Sequence, residues 1–154
     1  MTLRGVKFGT VHTANDWGLL LNSLSLSLPE PKTNNIDVDG RDGSVDLSEA
    51  FGAIRYDDRK AEFVFLLTEG TYLEREQLLS TITGTLHGKR TEIVLPDDQN
   101  HYLEGRCMVS ETSNSLAYGS VTVEATCNPW KWALIPVVRT VEVVKETELI
   151  CTNT

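Results

Sequence analysis

No stretch of the sequence approaches the roughly 18 consecutive apolar residues that a membrane-spanning helix requires. The opening MTLRGVKFGTVHTANDWG holds no continuous apolar run of the signal-peptide kind. Together these predict a chain that folds in the cytosol and has no membrane partner. Cysteine is scarce and odd in number: Cys107, Cys127 and Cys151, with no C-x-x-C pair. That pattern predicts buried free thiols rather than disulfides or a tetrahedral zinc site. Cations are outnumbered, 14 Lys and Arg to 22 Asp and Glu, for a net charge of −8 with no basic cluster. An acidic surface repels phosphate and gains nothing from counterion release, which argues against specific nucleic-acid binding. The three histidines, His12, His87 and His101, form neither H-x-x-x-H nor H-E-x-x-H. There is no G-x-S-x-G elbow, and GRDG and GKR lack the spacing of a phosphate loop. The expectation is a protein that is not an enzyme and uses no cofactor and no metal.

What is present is ordinary globular material: 154 residues, 40% hydrophobic and 23% charged, enough for one domain and the start of another. The dominant period is two. Leu24, Leu26 and Leu28 alternate with serines, a strand with one wet face. Ala61 to Leu67 is a nearly continuous apolar run suited to a strand buried on both faces. Thr91 to Leu95 is a further strand. His101 to Ser110 and Tyr118 to Cys127 flank a polar turn, ETSNSLA, and predict a hairpin. One helix interrupts the strands. Thr71 followed by Glu74 is a capping box, Tyr72, Leu79, Ile82 and Leu86 share a face, and Gly88 is its terminator. The sum is an antiparallel β domain with one helix packed on it. After NPWKWALIP, a linker by composition, RTVEVVKETELICTNT begins a new alternating pattern.

Four features invite a chemical reading. DVDGRDGSVDLSE (Asp37 to Glu49) has the vocabulary of a calcium loop. Only the register with Asn35, Asp37, Asp39 and Asp46 as ligands keeps its oxygens. That register puts Asp42 where an apolar anchor belongs, and no flanking helices are predicted. A strand and turn with solvated carboxylates is the simpler reading. Asp97 and Asp98 are adjacent on a loop, where side chains diverge, so a solvated turn outweighs an acid–base pair. Trp130 and Trp132 would share a face on a strand and could offer a sugar platform, but an aromatic lid on the core or on a neighbouring subunit is the commoner use of such residues. Arg59 and Arg106 read as partners for local carboxylates.

Taken in order, these segments carry a resemblance. GRDGSVDLSEA is followed by YDDRKAEFVF, a helix, LHGKRTEIVLPDDQNHYLEGRC and VTVEATCNPWKW. This order resembles the N-terminal domain of distal tail (Dit) proteins of phages with long, non-contractile tails. The matching positions are Gly40, Arg41, Asp42, Gly43, Asp46 and Leu47. They continue through Tyr56 and Arg59, then His87, Gly88, Lys89 and Arg90. Asp97, Asp98, Tyr102, Gly105 and Arg106 follow, and Cys127, Pro129 and Trp132 close the set. Asp39 stands where the pattern has proline, and Trp130 adds a second ring to the closing segment. The match spans residues 36 to 132.

The resemblance implies a mainly β fold, an antiparallel β-sandwich or split barrel with one flanking α-helix, related to tail-tube proteins. It implies residues 1–132 as a ring-forming domain and 133–154 as a linker and the start of a truncated, galectin-like second domain. It implies a virion tail component made in the bacterial host cytoplasm, in which a homo-hexamer joins the tail tube protein to hub or receptor-binding proteins. DNA would pass through this ring without being bound, and the acidic balance agrees. Leu3 to Thr10, outside the main core pattern, is the segment expected to reach a neighbour. The competing reading is a monomeric β domain binding carbohydrate or calcium through Trp130, Trp132 or the 35–46 loop.

Overall fold

The computed structural model describes residues 4–134. Leu3, Cys151 and all but the first two residues of the expected second segment, 133–154, lie outside them. The elements run β1 (Lys7–Phe8), β2 (Val11–His12), α1 (Thr13–Trp17), β3 (Leu20–Leu26), β4 (Asn35–Asp37) and β5 (Ser44–Asp46). They continue with β6 (Arg59–Leu67), α2 (Tyr72–Leu86), β7 (Arg90–Leu95), β8 (Asp98–Asn114), β9 (Gly119–Cys127) and β10 (Trp132–Ala133). The fold is antiparallel β with a flanking helix, as expected.

One sheet has the order β2-β1-β7-β8-β9-β6-β3, with β10 paired to β8 beyond the end of β9. In a flat sheet β1 and β6 would stand about 19 Å apart, four strand spacings. Yet the ring centroid of Phe8 lies 5.5 Å from that of Phe63 and 6.4 Å from that of Phe65. The sheet therefore rolls until its first and last strands face each other. The short helix α1 then spans the gap between the edge strands β2 and β3. Its ends are tied by Thr13 N–H to the Val6 carbonyl (2.9 Å), Leu19 N–H to the Thr13 carbonyl (3.0 Å) and Val6 N–H to the buried Thr13 hydroxyl (2.9 Å). This is a split barrel closed by a helical strap that the sequence reading missed.

The core is one cluster inside the roll, drawn from β1, β6, β7, β8, β9 and one stripe of α2. Val6 and Phe8 are fully or nearly fully buried in it. The expectation that Leu3 to Thr10 lies outside the core pattern is thus corrected: residues 4–10 supply strand β1, paired between β2 and β7, and core side chains. The apolar run 61–67 is also corrected. Ala61, Phe63, Phe65 and Leu67 are buried, Val64 and Leu66 are half-buried and Glu62 is exposed, so only one face of β6 meets the core. The polar turn of the β8–β9 hairpin is shorter than predicted, because the strand continues to Asn114 and pairs it with Gly119. Leu24 and Leu26 pack on the core from β3, while Leu28 lies beyond the strand and is exposed.

In α2 the Thr71–Glu74 capping box is present in both directions, and Leu79, Ile82 and Leu86 are buried. Tyr72 is 44% exposed, contrary to expectation, and the stripe is completed instead by Arg75, which is 4% exposed. The reason is the helix's first turn. There the stripe meets backbone carbonyls and the Asn114 amide rather than apolar side chains. Arg75 donates to Gly70 O (2.7 Å), Ser115 O (2.7 Å), Leu116 O (3.2 Å) and Asn114 Oδ1 (3.1 Å). A guanidinium can satisfy that many acceptors at once; an apolar ring cannot.

Candidate assembly surfaces

The motif residues gather in three places. The first is the junction between α2 and β7. Gly88 takes a positive φ (76°) that ends the helix, and its N–H donates to the Cys107 carbonyl (2.8 Å). His87 Nδ1 accepts from Val109 N–H (3.1 Å) and Lys89 Nζ donates to Gly84 O (2.9 Å). Arg90 bonds Glu104 (2.9 Å) and Asn128 (3.2 Å). Arg106 donates to Gly88 O (2.7 Å) and Arg59 to Ser27 O (2.8 Å). Both arginines were expected to meet local carboxylates; both instead fasten chain ends through carbonyls. Gly105 lies where a Cβ would come within 2.6 Å of the Thr126 carbonyl and 2.7 Å of Cys127 Sγ. The thiols of Cys107 and Cys127 are free and buried, and burial pushes them up to about 12 and about 11 respectively. This cluster is a structural clasp with no reactive nucleophile in it.

The second place is the β7–β8 turn. Asp97 pairs with Arg4 (2.9 Å), while Asp98 bonds His101 (2.9 Å) and Lys131 (2.9 Å). The two carboxylates are thus divided between partners and not shared, and Asp97 is still 68% exposed. The His101 and Lys131 hydrogen bonds hold the Asp98 carboxyl below its ordinary range. The Lys131 bond docks the 128–133 segment on β8, with Trp132 opposite Tyr102. Trp130 lies in the bend ahead of β10 and meets Tyr56 edge-on at 5.1 Å, beside Pro129 in a shallow cavity of about 400 Å³. Trp130 therefore serves to seat the chain near Tyr56 and does not extend a strand with Trp132.

The third place holds Gly40, Arg41, Asp42, Gly43, Asp46 and Leu47, on an arm between β3 and β6. The arm begins as a ribbon, with Pro31 bridged to Tyr56 and Lys32 N–H donating to the Arg55 carbonyl (2.8 Å). It ends in the β4–β5 hairpin, whose strands, among the described residues, pair only with each other and set Asn35 opposite Asp46. The acidic stretch is thus a strand and turn. The Asp46 carboxylate accepts from the Ser48 hydroxyl and N–H, which lowers its pKa. No residue from Ser27 to Asp58 is buried. Phe51 is 100% exposed, and Leu28, Ile36, Val38 and Leu47 are exposed with it. Sequence reasoning missed Phe51, although a lone phenylalanine among Gly, Ser and Asp has no local core to join.

The convex face of the sheet is banded by charge. Residues directly opposite in adjacent strands project to one face. The ladder thereby aligns Arg90, Arg106, Thr126 and Lys60, and beside them Met108, Glu124, Glu62 and Ser25. A groove of about 500 Å³ lies over Lys60, Glu62, Met108, Glu124 and Thr126. Met108, 48% exposed, is its large apolar side chain.

The crystal structure of the SPP1 Dit (gp 19.1) protein, titled a paradigm of hub adsorption apparatus in Gram-positive infecting phages, matches this fold with a TM-score of 0.70. The match covers 86% of this chain and 53% of that one at 15% sequence identity. This chain thus spans about half the length of that protein, and the likeness is one of fold. No family model matches the sequence, and no curated protein matches it.

Proposed function

We propose that this chain is a structural component of a phage tail. Six copies form a ring at the distal end of a long, non-contractile tail and join the tail tube to the adhesion apparatus. The observation that carries the reading is the fold likeness to a phage hub protein over most of the chain. The ordered motifs from Gly40 to Trp132 support it. So does the arm, since 32 consecutive residues without one buried side chain cannot be justified within a monomer. Ordering each backbone residue costs about 1–2 kcal/mol, and the arm returns almost no burial to offset that.

On this reading the motif residues are scaffolding: the α2–β7 clasp and the Asp98 dock hold the barrel, and the arm serves assembly. The net charge of −8 lets duplex DNA pass a ring without adhering to it. Further domains of the assembled protein would lie after residue 132. The test is negative-stain imaging of the purified protein with DNA-binding titrations at physiological salt. The reading expects six-fold rings and no retention of duplex. Monomers that bind a sugar through Trp130 would overturn it.

A further inference from the structure

We propose that the segment Ile135-Pro136-Val137-Val138 docks in the cavity over β1 and β7 of its own barrel. The stretch that composition reads as a linker then begins as a strap, and the first domain runs to about Arg139 rather than to residue 132. The cavity holds about 350 Å³, and its lining sets apolar Val94, Leu95 and Leu134 among Lys7, Glu92 and Gln99. Leu134 is 43% exposed there, so the floor of the cavity still has apolar surface in water.

The path of the chain selects this occupant. β10 pairs with β8 through Trp132 opposite Tyr102 and Ala133 opposite His101, and Leu134 N–H donates to the Asn100 carbonyl (2.9 Å). One more step of that register sets Ile135 opposite Gln99, on the cavity wall. The next sets Pro136 opposite Asp98, where β8 begins. Antiparallel pairs alternate between bonded and unbonded, so position 136 needs an N–H like position 134. Proline has none, and the ladder stops at the mouth of the cavity. The lengths agree as well. From Leu95 to Glu92 along β7 is three residues, about 10 Å, and four extended residues span about 13 Å. The first charge after Val137 and Val138 is Arg139, which this path brings to the Glu92 carboxylate.

The test keeps the full chain. Val137→Asp with Val138→Asp should lower the melting temperature by about 5 °C or more. The same changes at Val143 and Val144, past the strap, should leave it where it was. Val94→Trp fills the cavity from a strand position that accepts an aromatic ring. In that background the Val137 and Val138 changes should lose most of their effect, the non-additivity that residues in contact show. Hydrogen exchange needs no Val94 variant: in the Val137→Asp, Val138→Asp chain it should quicken across 5–9 and 92–99 and stay unchanged at 114–118. Equal falls for the two valine pairs, full additivity with Val94→Trp, or unaltered exchange at β1 and β7 would each overturn the strap. A fall that varies with protein concentration would assign the cavity to a second copy and overturn it too.

Discussion

The barrel and the arm are made by the same antiparallel pairing but hold together for opposite reasons. In the barrel the β6 ladder alternates Ala61, Phe63, Phe65 and Leu67 into a core shared with Phe8, Ile82 and Val123. Burying an apolar side chain of that size is worth about 1.5–3 kcal/mol. In the arm the same pairing runs from Pro31–Tyr56 to the Asn35–Asp46 ladder with no side chain buried at all. Backbone hydrogen bonds alone do not stabilise a two-stranded ribbon in water. The difference teaches that a segment can be specified in conformation without being stabilised by a core of its own.

The largest contrast is expected from deletions. Replacing residues 29–57 by an Asn-Gly turn should leave a folded barrel, because Ser27 N–H already pairs with the Lys60 carbonyl (2.9 Å) at the cut. The shortened protein should keep its β circular dichroism and lose assembly. Removing residues 4–8, by contrast, takes away Val6 and Phe8 and should abolish folding. Next, Ile82→Ala, at 0% exposure, should destabilise by about 2–5 kcal/mol in urea titration, while Phe51→Ala should cost the monomer under about 0.5 kcal/mol. Gly105→Ala should cost about 1–3 kcal/mol, since the new methyl meets the Thr126 backbone as well as Cys127.

Glu76→Ala has a smaller effect, about 1 kcal/mol. Its carboxylate accepts from Asn114 Nδ2 (2.9 Å), whose Oδ1 in turn accepts from Arg75. From spacing alone Glu76 reads as a bystander. The barrel's thiols give the finest test. Cys107 and Cys127 have folded pKa values raised from 9.0 to about 12 and about 11. The unfolded chain loses those protons first, so their contribution is full below about pH 9 and declines as pH rises from there towards 12. Stability measured from pH 8 to 11 should fall, and fall less in a Cys107→Ala variant. Both thiols should be silent to thiol reagents at pH 8 until the protein unfolds.

What the sequence made legible was what local chemistry dictates. The period-two strands, the Thr71–Glu74 cap and the Gly88 terminator are all signalled within a few residues. Hidden were the features set by long-range closure. Phe8 becomes core because β1 pairs with β7, more than 80 residues away in sequence. The strap α1 exists because two sheet edges meet there. Arg75 is buried because the β8–β9 turn brings three carbonyl-rich residues over the helix. Among the motif residues, order along the chain was visible, but their division into clasp, dock and arm was not. Arg59 and Arg106 have carboxylates as sequence neighbours, and only the fold shows that they bind carbonyls.

The central claim is that the arm exists for assembly and that assembly is a closed ring. Sedimentation velocity over a concentration series, comparing the intact chain with the arm-deleted barrel, tests it most directly. The account predicts a single species at six times the 17.1 kDa chain for the intact protein and a monomer for the barrel. Equal masses for the two, whether both monomeric or both assembled, would contradict it.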